Sequence, residues 1–166
     1  MIGNDIIDLR LAHFDNEQRF ERYAKKVCTA KEISQFGKFE KPLHSLWRFW
    51  SLKESAFKAA VRKGSASQFS PKAYEVKLIN AQKSLVSFNT DVFKGFTEVG
   101  EHFIHSYVTS DGKRVQLNTV FSGQNLRRRL TLKFDGRLPC IFLDGSGWQM
   151  ASLSHHGQFQ SIIHPL

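Results

Sequence analysis

Three side chains in this sequence are of the types and at the spacings that could do chemistry together: Asp5, Glu54 and Lys58. Trp47, Trp50, Phe57 and Val61 recur at helical intervals and mark one face of a helix, and Glu54 fills the gap in that stripe. A carboxylate placed among apolar side chains is costly unless a cation stands beside it or it holds a proton. Lys58, four residues on, shares the face of Glu54. The same spacing also fits an ordinary Glu-Lys pair on a solvated helix, worth only about 0.2 to 0.5 kcal/mol.

Asp5 is a second acid in an apolar segment, Ile2-Gly3-Asn4-Asp5-Ile6-Ile7, with a glycine that permits close approach of backbone or ligand. Taken alone it also fits a turn or helix-capping acid. Acids from two separate segments can share one ion, and an oxygen site that also receives phosphate suits Mg²⁺, which takes one or two carboxylates and completes its octahedron with water and phosphate oxygens.

The elements that must position these groups follow from pattern. Ile2 to Leu9 reads as a short strand, and a polar helix spans about Asn16 to Val27. Thr29 and Glu32 form a capping-box pattern that opens a second short helix. Pro42 precedes the longest helical pattern, about His44 to Lys63, closed by Gly64. After Pro71 the period changes to two: Tyr74, Val76 and Leu78 alternate with Glu75 and Lys77. Further strands are expected at about Leu85 to Phe88, His102 to Thr109, Val115 to Phe121, Thr131 to Phe134 and Cys140 to Leu143. Asp111-Gly112 and Asp135-Gly136 supply hairpin turns. Trp148 to Ile163 reads as a strand pair broken at His155-His156-Gly157. The expected class is α+β, one domain over residues 1–166 with N-terminal helices packed on an antiparallel sheet.

Bulk properties narrow the setting. At 166 residues and 41% hydrophobic content the chain can bury a core of its own. Cys28 and Cys140 stand far apart and in no metal-ligand spacing, which argues against a disulfide framework or a zinc site. No stretch approaches the roughly 18 apolar residues of a membrane span, and the first ten residues, with Asp5 and Asp8, do not read as a signal peptide. A soluble, cytoplasmic protein with no membrane partner is expected. The excess of 24 Lys and Arg over 15 Asp and Glu, a formal charge of +9, favours polyanionic partners: nucleic acid, nucleotides or acidic proteins.

Two segments carry a resemblance. Ile2-Gly3-Asn4-Asp5-Ile6-Ile7-Asp8-Leu9 and Trp50-Ser51-Leu52-Lys53-Glu54-Ser55-Ala56-Phe57-Lys58-Ala59 resemble the two signature motifs of the 4'-phosphopantetheinyl transferase superfamily, a G-x-D followed about 45 residues later by W-S-x-K-E-x-x-x-K. Lys26 to Glu32 looks like the family's short capping segment. Gly136-Arg137-Leu138-Pro139 is a loose form of its glycine-lysine-proline turn, and Ser152-Leu153-Ser154-His155 is similar to its serine-histidine motif. In length and motif order the chain resembles the short, holo-acyl-carrier-protein-synthase type. It departs from that pattern at Met150, where a histidine often opens the last motif, at Ile7, where larger members carry a second acid, and at Arg10, out of register with the arginine that grips the carrier. Residues 80–130 have no counterpart in the pattern and are expected to form a β insert.

The resemblance implies a transferase that moves the phosphopantetheine arm of coenzyme A to a serine of an acidic apo acyl or peptidyl carrier protein and releases 3',5'-ADP. In that reading Asp5 and Glu54 hold Mg²⁺ on the diphosphate, Lys58 contacts that phosphate, and Glu54 is the base for the serine hydroxyl. Lys53, Ser154 and His155 bind the coenzyme A phosphates. The short type also implies a homotrimer with sites between subunits, with a dimer or a monomer as the alternatives. Two other readings compete. A nucleic-acid-binding module would use Arg127, Arg128, Arg129 and the aromatic content, but leaves Asp5 and Glu54 without a role, so no nucleic acid is expected as partner. A non-catalytic relative that only binds coenzyme A or a carrier would have no need of Asp5, Glu54 and Lys58 together.

Overall fold

The computed structural model describes residues 1–110, 114–120 and 130–166, with backbone alone for 118–120. The expected Asp111-Gly112 turn and the Arg127 to Arg129 cluster lie outside the described residues. Strand β1 (Ile2–Asp8) leads to helix α1 (Glu17–Val27), short helix α2 (Ala30–Ile33) and long helix α3 (Pro42–Lys63). Asn16 caps α1 by accepting from the Arg19 amide, and Thr29 and Glu32 form the full reciprocal capping box of α2. Helix α3 begins at Pro42 rather than His44, since proline lacks only an N–H that the first turn leaves unpaired. It ends at Gly64, whose φ of 80° supplies the left-handed cap.

A single 3₁₀ turn, Pro71–Ala73, precedes β2 (Glu75–Leu78), β3 (Lys83–Phe88), β4 (Asp91–Val99) and β5 (Phe103–Thr109). These strands and β1 form one antiparallel sheet in the order β1-β5-β4-β3-β2. Strand β4 has no counterpart in the sequence reading. Its signal was the Phe88-Asn89-Thr90-Asp91 turn, where Asn89 takes a φ of 52° as a tight hairpin requires. Strands β3 to β5 are internal to the sheet that carries β1, so much of the segment expected as an insert at 80–130 is part of the central scaffold.

Beyond it lie β6 (Val115–Val120), β7 (Leu132–Asp135), β8 (Leu138–Leu143), β9 (Gly147–Met150), β10 (Ser152–His156) and β11 (Phe159–Pro165). They form two small antiparallel sheets, β10-β11-β6 and β7-β8-β9. The expected C-terminal strand pair is thus three strands, with Ala151 between β9 and β10 and Gly157 in the last turn.

The main core lies between α3 and the five-stranded sheet: Leu46, Phe49, Leu52, Ala56, Ala59 and Ala60 face Tyr74, Val76, Val86, Phe93 and Val108, all buried. This face differs from the predicted stripe. Trp47, Trp50, Glu54, Phe57 and Val61 are only half-buried and run along the flank of the helix. The three alanines let α3 lie close on the sheet, while the large rings pack sideways: Trp47 stacks on Phe14 with centroids 5.8 Å apart, and Trp50 and Phe57 meet Phe69 at 5.4 and 5.1 Å. A flank position leaves Glu54 a route to solvent that a core position would not.

Candidate functional site

Strand β1 is buried on both faces, against α3 on one side and β10 and β11 on the other, so Asn4, Asp5 and Asp8 are buried along with its three isoleucines. Period-two alternation sends Gly3 and Asp5 toward α3 and Asn4, Ile6 and Asp8 toward the small sheet. At Gly3 any β-carbon would meet the Ser55 carbonyl oxygen at 2.0 Å and the Ala59 nitrogen at 2.9 Å, so glycine is what seats the strand on the helix. Two residues on, Asp5 then reaches the same helix.

There the Lys58 ammonium donates to Asp5 Oδ1 at 3.2 Å and to the Asn4 carbonyl oxygen at 2.9 Å. The other carboxylate oxygen of Asp5 is buried and has no hydrogen-bond partner among the described residues. Burial raises the Asp5 pKa, with the Lys58 charge and hydrogen bond partly opposing the rise. Glu54, one turn before Lys58, is raised as well: by burial first, against the pull of Lys58, and further by the negative charge of Asp5. The predicted trio therefore forms a charged group in which Asp5 and Lys58 touch and Glu54, one turn before Lys58, is near enough to feel both charges. It comprises two carboxylates that resist ionisation and one ammonium already engaged with one of them.

Oxygen donors of this kind fit a small hard divalent cation. Among the described residues Asp5 Oδ2 is a buried acceptor without a donor and Glu54 accepts no hydrogen bond, so oxygens of both are free to take a cation. Among those residues no cluster of three or more His, Cys, Asp or Glu occurs, so two carboxylates would leave the remaining positions to water and ligand oxygens.

Lys58 also lines a pocket of about 260 Å³ whose other walls include Ile2, Phe57, Arg62, Arg137, Pro139 and Ser152. Arg62, a further turn along α3, was missed by sequence reasoning although it lies four residues after Lys58. Its guanidinium donates to the Pro139 carbonyl at 3.0 Å and the Ala151 carbonyl at 2.6 Å, fastening α3 to the outer strands, and it enters no carboxylate salt bridge among the described residues. Burial lowers its pKa. The Gly136 to Pro139 turn singled out in the sequence thus supplies Arg137 and Pro139 to this pocket.

Lys53 is not in this group. Its side chain is fully buried on the core side of α3, with Nζ 2.8 Å from Glu32 Oε2 and 3.1 Å from the Pro71 carbonyl oxygen. Glu32 also accepts from the Thr29 and Val76 amides, both at 2.8 Å. A position one residue before Glu54 is turned about 100° around the helix, and the expected phosphate contact is replaced by a structural ion pair joining α2, α3 and β2.

Ser154 and His155 also sit apart from the Asp5 cluster. Ser154 is buried beneath β1, its hydroxyl accepting from Asn4 Nδ2 at 3.1 Å, and the His155 side chain faces outward. Asn4 is the node of a neutral network: its amide N–H donates to Ser152 Oγ at 2.9 Å and its side chain approaches His105 Nε2 at 3.3 Å, which in turn lies 2.9 Å from Ser161 Oγ. Burial first, and then the Lys58 charge, bring the His105 pKa down to about 4, so the ring is neutral near pH 7. Arg10 is engaged by Asp8 through Nε and Nη2 at 2.9 and 2.7 Å, and this pairing holds the Asp8 pKa at about 2.

The family model described as 4'-phosphopantetheinyl transferase superfamily matches residues 1–111, which include every member of the Asp5, Glu54 and Lys58 cluster. No curated protein matches the chain. Among solved structures, the fold is similar to that of Thermotoga maritima holo-[acyl-carrier-protein] synthase, at a TM-score of 0.51 and 15% identity, over 90% of this chain and 80% of that one. No described helix is long and apolar enough to cross a membrane.

Proposed function

Because the chain belongs to the 4'-phosphopantetheinyl transferase superfamily, we propose that it transfers the phosphopantetheine arm of coenzyme A to a serine hydroxyl of an apo carrier protein, with Mg²⁺ held by Asp5 and Glu54. The observation that carries this reading is the Asp5–Lys58 contact, with Glu54 one turn before Lys58, beside a pocket that Lys58 lines together with Arg62 and Arg137. In the reaction the serine Oγ bonds to the β-phosphorus, the bridging P–O bond of the diphosphate breaks, and 3',5'-ADP leaves. When bound, Mg²⁺ neutralises charge on the diphosphate. Glu54, a carboxylate within reach of the site, takes the serine proton. Lys58 binds a diphosphate oxygen, and most of the rate gain comes from positioning and charge neutralisation. The formal charge of +9 suits an acidic carrier protein.

Intact-mass analysis of apo acyl and peptidyl carrier proteins, incubated with the protein, coenzyme A and Mg²⁺, tests the proposal. A gain of one phosphopantetheine mass is expected, and it should vanish with Glu54→Gln and with chelator. No gain on either carrier class from the folded protein would overturn it.

A further inference from the structure

Lys58 stands in two environments at once. Its ammonium is bound to Asp5 Oδ1 at 3.2 Å, and its side chain lines the pocket shared with Arg62 and Arg137. It also holds the Asn4 carbonyl at 2.9 Å, an acceptor fixed in place because the Asn4 amide and side chain are tied to Ser152 and Ser154. If the contact with Asp5 were given up, the ammonium would keep this second acceptor. The carboxylate it occupies is the one whose other oxygen is buried without a partner among the described residues.

We propose that Lys58 is a built-in counter-ion that keeps the Asp5–Glu54 pair from holding a divalent cation alone, and that an anion entering the pocket draws it away from Asp5. The inference rests on the transferase reading for the nature of the anion, a nucleotide diphosphate, but not for the antagonism itself. Two like charges competing for one carboxylate oppose each other strongly in a buried site. An anion between Lys58, Arg62 and Arg137 supplies the negative charge that lets ammonium and cation coexist. Coupling of this kind is reciprocal: the anion tightens the cation by the same factor as the cation tightens the anion.

The test counts Mn²⁺ bound to the full-length protein from the EPR signal of the free ion, without and with coenzyme A. Wild type should bind Mn²⁺ weakly alone and about tenfold more tightly with coenzyme A, within the usual range of coupling between sites. Lys58→Gln should bind Mn²⁺ alone about tenfold more tightly than wild type and lose most of the coupling. Lys58→Arg, which keeps the charge, should stay weak, and adding Asp5→Asn to Lys58→Gln should remove the gain. Thermal melts establish that each variant is folded, and Lys58→Met replaces Lys58→Gln if the latter is not. Mn²⁺ affinity in the neutral variant equal to or below that of wild type would overturn the proposal. Coenzyme A binding is measured on the same preparations: its absence would sink the transferase reading, while the metal-only titration would still decide the role of Lys58.

Discussion

A β-carbon on Gly3 would lie 2.0 Å from the carbonyl oxygen of Ser55, closer than any non-bonded pair can stand. Neither group can rotate away, because both are bounded by backbone: β1 is hydrogen-bonded to β5, and Ser55 lies within α3. Gly3→Ala should therefore cost roughly 3 kcal/mol, toward the upper end for overpacking. Gly64→Ala is the contrast. No described residue stands within 4 Å there, and only the φ of 80° is strained, so about 1 kcal/mol is expected. Urea denaturation of both variants would show the order, and equal costs would refute the close-approach argument.

The Lys53–Glu32 pair is predicted to be structural. Lys53→Met leaves the Glu32 carboxylate buried without its cation, and a loss of about 3 to 5 kcal/mol is expected. Adding Glu32→Gln should recover part of that loss, since the stranded charge is removed. Coenzyme A affinity of the folded fraction should not change. A selective loss of coenzyme A binding at unchanged stability would instead return Lys53 to the site.

Asp5→Asn and Glu54→Gln should leave the fold intact, because each replaces a carboxylate that burial already disfavours. Carrier modification should fall at least about 100-fold in Glu54→Gln, the scale of a lost general base. Both carboxyl groups must ionise to act, and both titrate above the ordinary carboxylate range. In the metal-free protein both should therefore ionise only above that range, which infrared titration of the carboxyl bands against Asp5→Asn and Glu54→Gln would show. Bands that titrate at the usual carboxylate value without metal would contradict the burial of these groups.

His105 gives stability a pH dependence of known sign. Its pKa falls from 6.5 to about 4 on folding, so below 6.5 the unfolded chain takes a proton that the native ring refuses. This contribution is fully present above pH 6.5 and is lost as the pH falls toward 4, by roughly 3 kcal/mol in all. Asp5 and Glu54, with raised pKa values, slope the opposite way: their neutral forms favour the fold, so their cost appears as the pH rises. The comparison that isolates the ring is denaturation of wild type and His105→Gln between pH 4 and 7. The stability of wild type relative to the variant should rise with pH across that range, and a difference that does not change with pH would rule out the buried neutral ring.

Much of the site was legible in the chain because it depends on short-range geometry. Glu54 and Lys58 share a helix face by their spacing of four, and the Thr29–Glu32 capping box and the Gly64 stop are local patterns that the structure reproduces. A glycine two residues before an acid in an apolar run likewise announced a strand lying close on something else. What tertiary structure alone decided is which side of each element faces which neighbour. Lys53 and Glu54 are adjacent in sequence, yet one is locked against Glu32 in the core and the other lies on the flank beside Asp5. That choice was made by Ala56, Ala59 and Ala60, whose small size seats the helix on the sheet and turns the larger Trp47, Trp50 and Phe57 outward. Arg62 gained its place in the pocket only because β8 and the link between β9 and β10 come back to α3 and present the Pro139 and Ala151 carbonyls to it. Helical spacing states which residues share a face; only packing across long sequence separations states what that face meets.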